Sequence, residues 1–213
     1  MIQNTLAVNT RQNLQQTCKV NMPTDEVAKL IAISYKSIVE ERGQKFINST
    51  ALQENIKKTA KWLTESRKNF LFLAGTVGNG KTTLVKAMIR FFNAYITAEH
   101  KDNYYREFFT STGETELCYL ARSDEARFQE LKKVRKLFID DVGTEKLSSV
   151  KNFGNEISPF TEVLSWRYER NYPTIITSNL TLEQIQKHYG MRIYDRICEF
   201  NKIIFSEKSY RQI

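Results

Sequence analysis

Eight residues, Gly75-Thr76-Val77-Gly78-Asn79-Gly80-Lys81-Thr82, separate the apolar run Phe70-Leu71-Phe72-Leu73-Ala74 from a segment with helical spacing at Leu84, Val85, Met88, Phe91 and Phe92. Strand, glycine-rich turn and helix in that order, with the string G-x-x-x-x-G-K-[ST] at the turn, leave few folds open. The strand has to be buried among neighbours and the helix has to pack back across them. Glycine is required where backbone N–H groups close around an anion, because a Cβ would hold the anion away. In such a loop Gly75, Thr76, Val77, Gly78, Asn79, Gly80, Lys81, Thr82 and Thr83 wrap the phosphates of a nucleoside triphosphate. Lys81 reaches the β and γ oxygens, the Thr82 hydroxyl ligates Mg²⁺, and the helix N-terminus adds its dipole.

The rest of the chain agrees with an α/β fold. From Asn69 onward short apolar runs alternate with helical patterns, which predicts a parallel sheet flanked by helices. Strands are expected over 69–74, 116–121, 136–140, 173–178 and 201–205, and helices over 81–98, 123–133, 155–170, 181–189 and 191–199. The segment from Glu99 to Glu116 fits neither pattern; its aromatics Tyr104, Tyr105, Phe108 and Phe109 are expected to pack onto the core rather than to line a ligand loop.

Ahead of this region, Thr24 as a cap and Asp25 and Glu26 in the first turn predict a helix that ends at Gly43. A second helix is expected from Ser49 or Thr50 to about Ser66. Residues 1–22 carry eight Asn or Gln and no acid, and read as flexible or conditionally helical. The expected division is therefore a small helical N-terminal extension, 1–48, and an ATPase domain, 49–213. The apolar face from Val27 to Ile38 suits either a partner's groove or the protein's own domain.

A net charge of +8 favours an anionic partner. Cys18, Cys118 and Cys198 are widely spaced, with only His100 and His188 to assist, so inert thiols in a reducing interior are expected rather than a zinc site. No apolar run approaches the roughly 20 residues of a membrane span. With no signal-like N-terminus either, a cytoplasmic protein is expected.

Lys136-Leu137-Phe138-Ile139-Asp140-Asp141 is an apolar strand that ends in two carboxylates. Beside the loop strand, Asp140 would enter the Mg²⁺ shell and Asp141 would orient or deprotonate the attacking water. The strand Pro173 to Ser178 leads into Asn179, whose amide suits that water or the γ-phosphate. Arg192 and Arg196, four apart, fall on one helix face.

Taken in order, the loop 75–82, Leu137-Phe138-Ile139-Asp140-Asp141-Val142-Gly143, Ile175-Ile176-Thr177-Ser178-Asn179-Leu180, Tyr194-Asp195-Arg196-Ile197 and Ser209-Tyr210-Arg211 resemble the DnaC-like helicase loaders and IstB-type transposition helper ATPases, both of the AAA+ class of P-loop ATPases. The resemblance covers roughly 50–213. It implies ATP and Mg²⁺ as cofactors, Lys81, Asp141, Asn179 and Arg196 as catalytic, and Thr82 and Asp140 on the metal. Gly80, Lys81 and Thr82 take the Walker A positions, Asp140 and Asp141 the Walker B acids and Asn179 the sensor-1 position. Arg196 becomes an arginine finger for a neighbouring subunit, hence an ATP-dependent homo-oligomer. Arg211 matches a tail motif of undefined role.

Most AAA+ proteins carry Glu where this chain has Asp141, whereas the loader branch resembles this chain, so slow turnover and an assembly role for ATP are expected. As in that branch, no C-terminal lid domain is expected after the last strand. The resemblance further implies single-stranded DNA and a replicative helicase as partners, with an IstB-like role beside a transposase as the alternative. Lys57, Lys58, Lys61, Arg67 and Lys68, or Lys132, Lys133, Arg135 and Lys136, would follow the DNA backbone, with stacking on Tyr104, Tyr105 or Phe109. A small-molecule P-loop kinase fits the two acids, Asn179 and Arg196 less well, and a nucleotide-gated binding protein without hydrolysis is a third reading.

Overall fold

The run Phe70 to Ala74 is buried on both sides, and strict alternation divides it between two cores. Leu71 and Leu73 face one, while Phe70, Phe72 and Ala74 face the other. The computed structural model describes residues 18–99, 107–144, 150–152 and 155–206, and for 150–152 and 155–157 the backbone alone. Tyr104, Tyr105 and Arg211 lie outside the described residues, as do residues 1–17.

In chain order the elements are α1 (Thr24–Glu41), α2 (Thr50–Thr64), β1 (Phe70–Gly75), α3 (Lys81–Glu99), β2 (Phe109–Gly113), α4 (Glu114–Ser123) and α5 (Glu125–Lys133). Then follow β3 (Lys136–Val142), β4 (Val150–Asn152), β5 (Asn155–Ile157), α6 (Pro159–Glu169), β6 (Thr174–Ser178), α7 (Leu182–Tyr189), α8 (Met191–Cys198) and β7 (Asn201–Phe205). Five strands form one parallel sheet in the order β2-β3-β6-β1-β7. Apolar faces of α1, α2 and α3 cover one side of it, and those of α4 to α8 the other. Because the strands are parallel, the carboxyl ends of β1, β3 and β6 open at the same edge, where an α/β sheet holds its ligand.

Of the two alternatives for α1, packing on its own domain is the one observed. Val27, Ile31, Tyr35 and Ile38 share a core with Leu84 and Met88 of α3, and Arg90 clasps Glu41 through two contacts of 2.6 and 2.9 Å. Residues of the segment 18–47 thus share one core with β1 and α3. Thr24 does not cap α1: Pro23 occupies the cap, and the Thr24 hydroxyl bonds Thr64 and Glu65 at the end of α2 instead. Ser49 does cap α2, accepting from the Leu52 N–H at 3.1 Å.

The strand expected over 116–121 is the helix α4, and the sheet takes the upstream segment Phe109–Gly113 in its place. Leu117, Cys118, Leu120 and Ala121 are buried at helical spacing, whereas Tyr119 between them is 66% exposed. A short apolar run carries no periodicity of its own, which is why it reads as a strand. Phe109 anchors β2 edge-on against Phe92, 5.4 Å between centroids, and Phe108 packs on the same core. The helix expected from 155 starts at Pro159, since a residue before proline is driven out of the helical region. Residues 155–157 pair antiparallel with β4.

Cys18 and Cys118 are buried and all three cysteines are free, with burial pushing the Cys18 thiol up to about 12. No described helix is long and apolar enough to cross a membrane. Among the described residues no helical bundle follows β7.

Candidate nucleotide-binding site

At the end of β1 the backbone takes conformations that only glycine adopts readily. Gly75 has φ +151, and a Cβ there would lie 2.5 Å from the Asn79 amide and 2.6 Å from the Phe205 carbonyl. Gly80 has φ +92 and leads directly into the first turn of α3. The Lys81 ammonium is consequently drawn back over its own loop. It donates to Gly75 O at 2.7 Å, Thr76 O at 2.8 Å, Asn79 Oδ1 at 3.2 Å and Asn179 Oδ1 at 2.8 Å. Desolvation lowers its pKa, while Asp141 and Asp140 oppose the shift.

The Thr82 hydroxyl donates to Asp140 Oδ1 at 2.8 Å, so a helix from one strand and a carboxylate from another meet at one point. The Thr177 hydroxyl donates to the same oxygen at 2.5 Å and accepts from the Asp141 N–H at 3.0 Å. Sequence reading missed Thr177; its only signal was its place in the polar end of β6. A hydroxyl and a carboxylate oxygen suit a hard cation that keeps most of its shell for phosphate and water, as Mg²⁺ does.

Between Ile139 and Val142 the pairing of β3 with β6 shifts register, and Asp141 sits in the left-handed region at φ +53. This bulge turns its carboxylate toward Asn179, whose Nδ2 is 3.5 Å from Asp141 Oδ1. Asp tolerates that backbone better than Glu does, which gives a local reason for the shorter acid. Asp141→Glu is therefore expected to cost about 1 kcal/mol in stability. It should bring no gain in ATP turnover. Thermal denaturation and a phosphate-release assay check both parts, and a several-fold faster variant would show that the bulge accepts the longer chain.

Glu114, at the start of α4, was also missed. Buried, it accepts from Gly143 N at 2.8 Å and from the Tyr189 hydroxyl at 2.5 Å, and so braces the turn after Asp141 against α7. Helix-start acids are common, and nothing in the sequence marks this one.

A cavity of about 980 Å³ joins these groups. It is lined by 77–83, Asp140, Asp141 and Asn179 and, from α1 and the turn after it, by Tyr35, Val39, Arg42, Gln44, Lys45 and Ile47. The structure thus brings together Lys81, Thr82, Asp140, Asp141 and Asn179. Arg196 does not line the cavity. It is buried on α8, donates to the Ser165 hydroxyl and to Glu169 Oε1 at 3.1 Å, and lies 5.1 Å from the Tyr168 ring centroid. Arg192 shares Glu169 at 3.3 Å but remains exposed.

The two basic clusters separate. Lys132 is buried on Glu162 at 2.6 Å, Lys136 on Glu107 at 2.6 Å, and Arg135 pairs with the same Glu107. Lys132 and Lys136 are thus buried within the fold and Arg135 shares the Glu107 carboxylate, so that of this cluster Lys133 alone is fully exposed. Phe109 is buried as well and is unavailable for stacking on a base. Lys57, Lys58, Lys61, Arg67 and Lys68 remain exposed on α2 and the turn after it.

A phosphate loop, a strand-end acid pair and a strand-end asparagine on a five-stranded parallel sheet define a P-loop nucleotide-binding domain of the AAA+ type. The chain belongs to the family of IstB-like ATP binding proteins, whose model matches residues 19–212. It is 28% identical over 145 residues to the phage-like element PBSX protein XkdC of Bacillus subtilis (strain 168), covering 67% of this chain and 53% of that protein. The chain spans about half the length of the curated relatives it matches. Among solved structures it is similar to the DnaC helicase loader, with a TM-score of 0.57 and 18% identity over 76% of this chain and 94% of that one. The replication initiator DnaA bound to AMPPCP and single-stranded DNA gives a TM-score of 0.56 and 16% identity, over 76% of this chain and 49% of that one. At such identities these likenesses establish the fold.

Proposed function

We propose that this protein is a slow, Mg²⁺-dependent ATPase that uses ATP as an assembly switch, binds single-stranded DNA and delivers or regulates a partner such as a replicative helicase. The observation that carries the reading is the link from Lys81 through Asn179 to Asp141, with Thr82 and Asp140 beside it. On ATP binding, β and γ oxygens replace the Gly75 and Thr76 carbonyls as acceptors for Lys81. Asn179, released from Lys81, is then free to hold the attacking water, and Asp141 to take its proton. A cation held by Thr82 and Asp140 would offset the charge that builds on the phosphates.

Arg196 stands outside its own cavity, which fits a residue that serves a neighbouring subunit's site. Its partner Glu169 is half exposed, so an approaching γ-phosphate can compete for the guanidinium. For DNA, the exposed α2 cluster is the best-supported track. DnaC, a helicase loader, and DnaA, solved with single-stranded DNA, share the fold and support this reading. A transposase in place of the helicase is the second reading, favoured by the family match. The reading further places the protein in the cytoplasm.

Phosphate release measured with and without Mg²⁺ and single-stranded DNA tests the proposal. Turnover that depends on Mg²⁺ and changes with DNA is expected; phosphoryl transfer to a small acceptor with no DNA effect would overturn it. For Arg196→Ala the expected result is turnover at least about 100-fold lower at concentrations where wild type assembles, with ATP binding by the monomer unchanged. Sedimentation and calorimetry on the same samples separate the two effects.

A further inference from the structure

The cavity takes in more than the phosphate site, with further lining from α1 and the turn after it. There Arg42 Nη1 donates to the Thr83 hydroxyl at 3.1 Å. Among the described residues no acidic side chain forms an ion pair with Arg42, although it stands in a wall that also holds Lys45. Its position is firmly set. The preceding residue, Glu41, is clasped by both Arg90 nitrogens and by the Ser37 hydroxyl at 2.7 Å, which fastens the last turn of α1 to the phosphate-loop helix.

Thr83 follows Thr82 by one residue, so the two hydroxyls diverge by about 100° around α3. Thr82 turns to Asp140, where the metal and terminal phosphates belong. Thr83 turns to Arg42, which lines the same cavity as Tyr35, Val39 and Ile47. A nucleotide with its γ-phosphate at Asp140 and Asp141 would bring the phosphate nearest its sugar beside Thr83. We infer that Arg42 is a nucleotide-binding residue acting in cis, whose guanidinium donates to the α-phosphate from the α1 side.

This inference rests on the ATP-site reading and adds to it a cation supplied from outside the phosphate loop. It also puts the residue that caps α1 in direct contact with the bound nucleotide. Leu30 and Ile33 lie exposed on that helix, so occupancy of the cavity bears on the element that carries them.

Calorimetric titration of the full chain with ATP and with ADP, in Mg²⁺, tests the role. A charge-assisted bond to phosphate is expected to be worth roughly 10- to 100-fold in Kd. Arg42→Ala should lose that factor equally for ATP and ADP, because both carry the α-phosphate, and Arg42→Lys should recover part of it. The melting temperature without nucleotide should be unchanged, since Arg42 is exposed. Wild-type affinity in Arg42→Ala would overturn the inference and leave the ATP site intact, as would a loss confined to ATP, which points to the γ-phosphate. A lowered melting temperature with unchanged Kd would assign Arg42 a structural role instead. Absence of nucleotide binding by the wild type would overturn the ATP-site reading and this inference together.

Discussion

Lys81→Ala is expected to remove measurable ATP binding and to reduce turnover to background. The ammonium is the one cation of the loop that is both buried and within reach of the phosphates, and it is held by four acceptors within 3.2 Å. Alanine deletes the charge that would meet the β and γ oxygens, and it also strips partners from two loop carbonyls and from Asn179. Two charge-assisted bonds at about 1.5–3 kcal/mol each correspond to a loss of roughly 100-fold or more in Kd. Calorimetry with ATP in Mg²⁺ reads the effect. Circular dichroism should stay at wild type, because the loop lies at the edge of the sheet. ATP binding within tenfold of wild type would show that the loop amides alone hold the nucleotide.

The largest stability effect is expected at Arg167, a residue without any functional contact. It is fully buried on α6 and donates to the Thr174 hydroxyl at 2.8 Å, to the carbonyls of Lys132 and Val134 at 3.0 and 2.7 Å, and to the Pro173 carbonyl at 2.7 Å. These bonds tie α6 to the end of α5 and to the entries of β3 and β6, the two strands that deliver Asp140 and Asn179. Arg167→Ala strips the guanidinium from the carbonyls of Lys132, Val134 and Pro173, of which the last keeps the Leu137 N–H, and opens a cavity, for an expected loss of about 3–5 kcal/mol in urea unfolding. Lys in its place should recover little, since an ammonium cannot reproduce the planar fork. A loss below 1 kcal/mol would mean that water enters and replaces the guanidinium.

Most of the candidate site was legible because it is built from local strings. The loop at 75–82, the acids after Phe138-Ile139 and the asparagine after Ile176-Thr177-Ser178 each end a buried strand, and parallel strands bring their ends to one edge. The edge strand β2 was not legible. Phe109-Thr110-Ser111-Thr112-Gly113 is short and mostly polar, and it is a strand because β3 offers it a ladder. Leu117 to Ala121 next to it looked like the strand and is the helix, because its alternate side chains cannot all face one core.

Charge showed the same limit. Lys132, Arg135 and Lys136 read as a basic patch, yet their carboxylate partners, Glu162 and Glu107, lie some thirty residues away in the chain and beside them in space. Arg42, Thr177 and Glu114 carry no motif, and only the packing of α1, β6 and α4 against the loop and its acids reveals them.

By itself, then, the amino-acid order determined the phosphate loop, the acid pair and the alternation of strands and helices, because each depends on residues within one turn or one strand of each other. Tertiary structure alone decided which cations are paired or buried, that α1 walls the nucleotide cavity, and that Arg196 lies outside its lining. Those are outcomes of contacts between segments far apart in the chain, where pairing and burial are set by the packed sheet and not by local pattern.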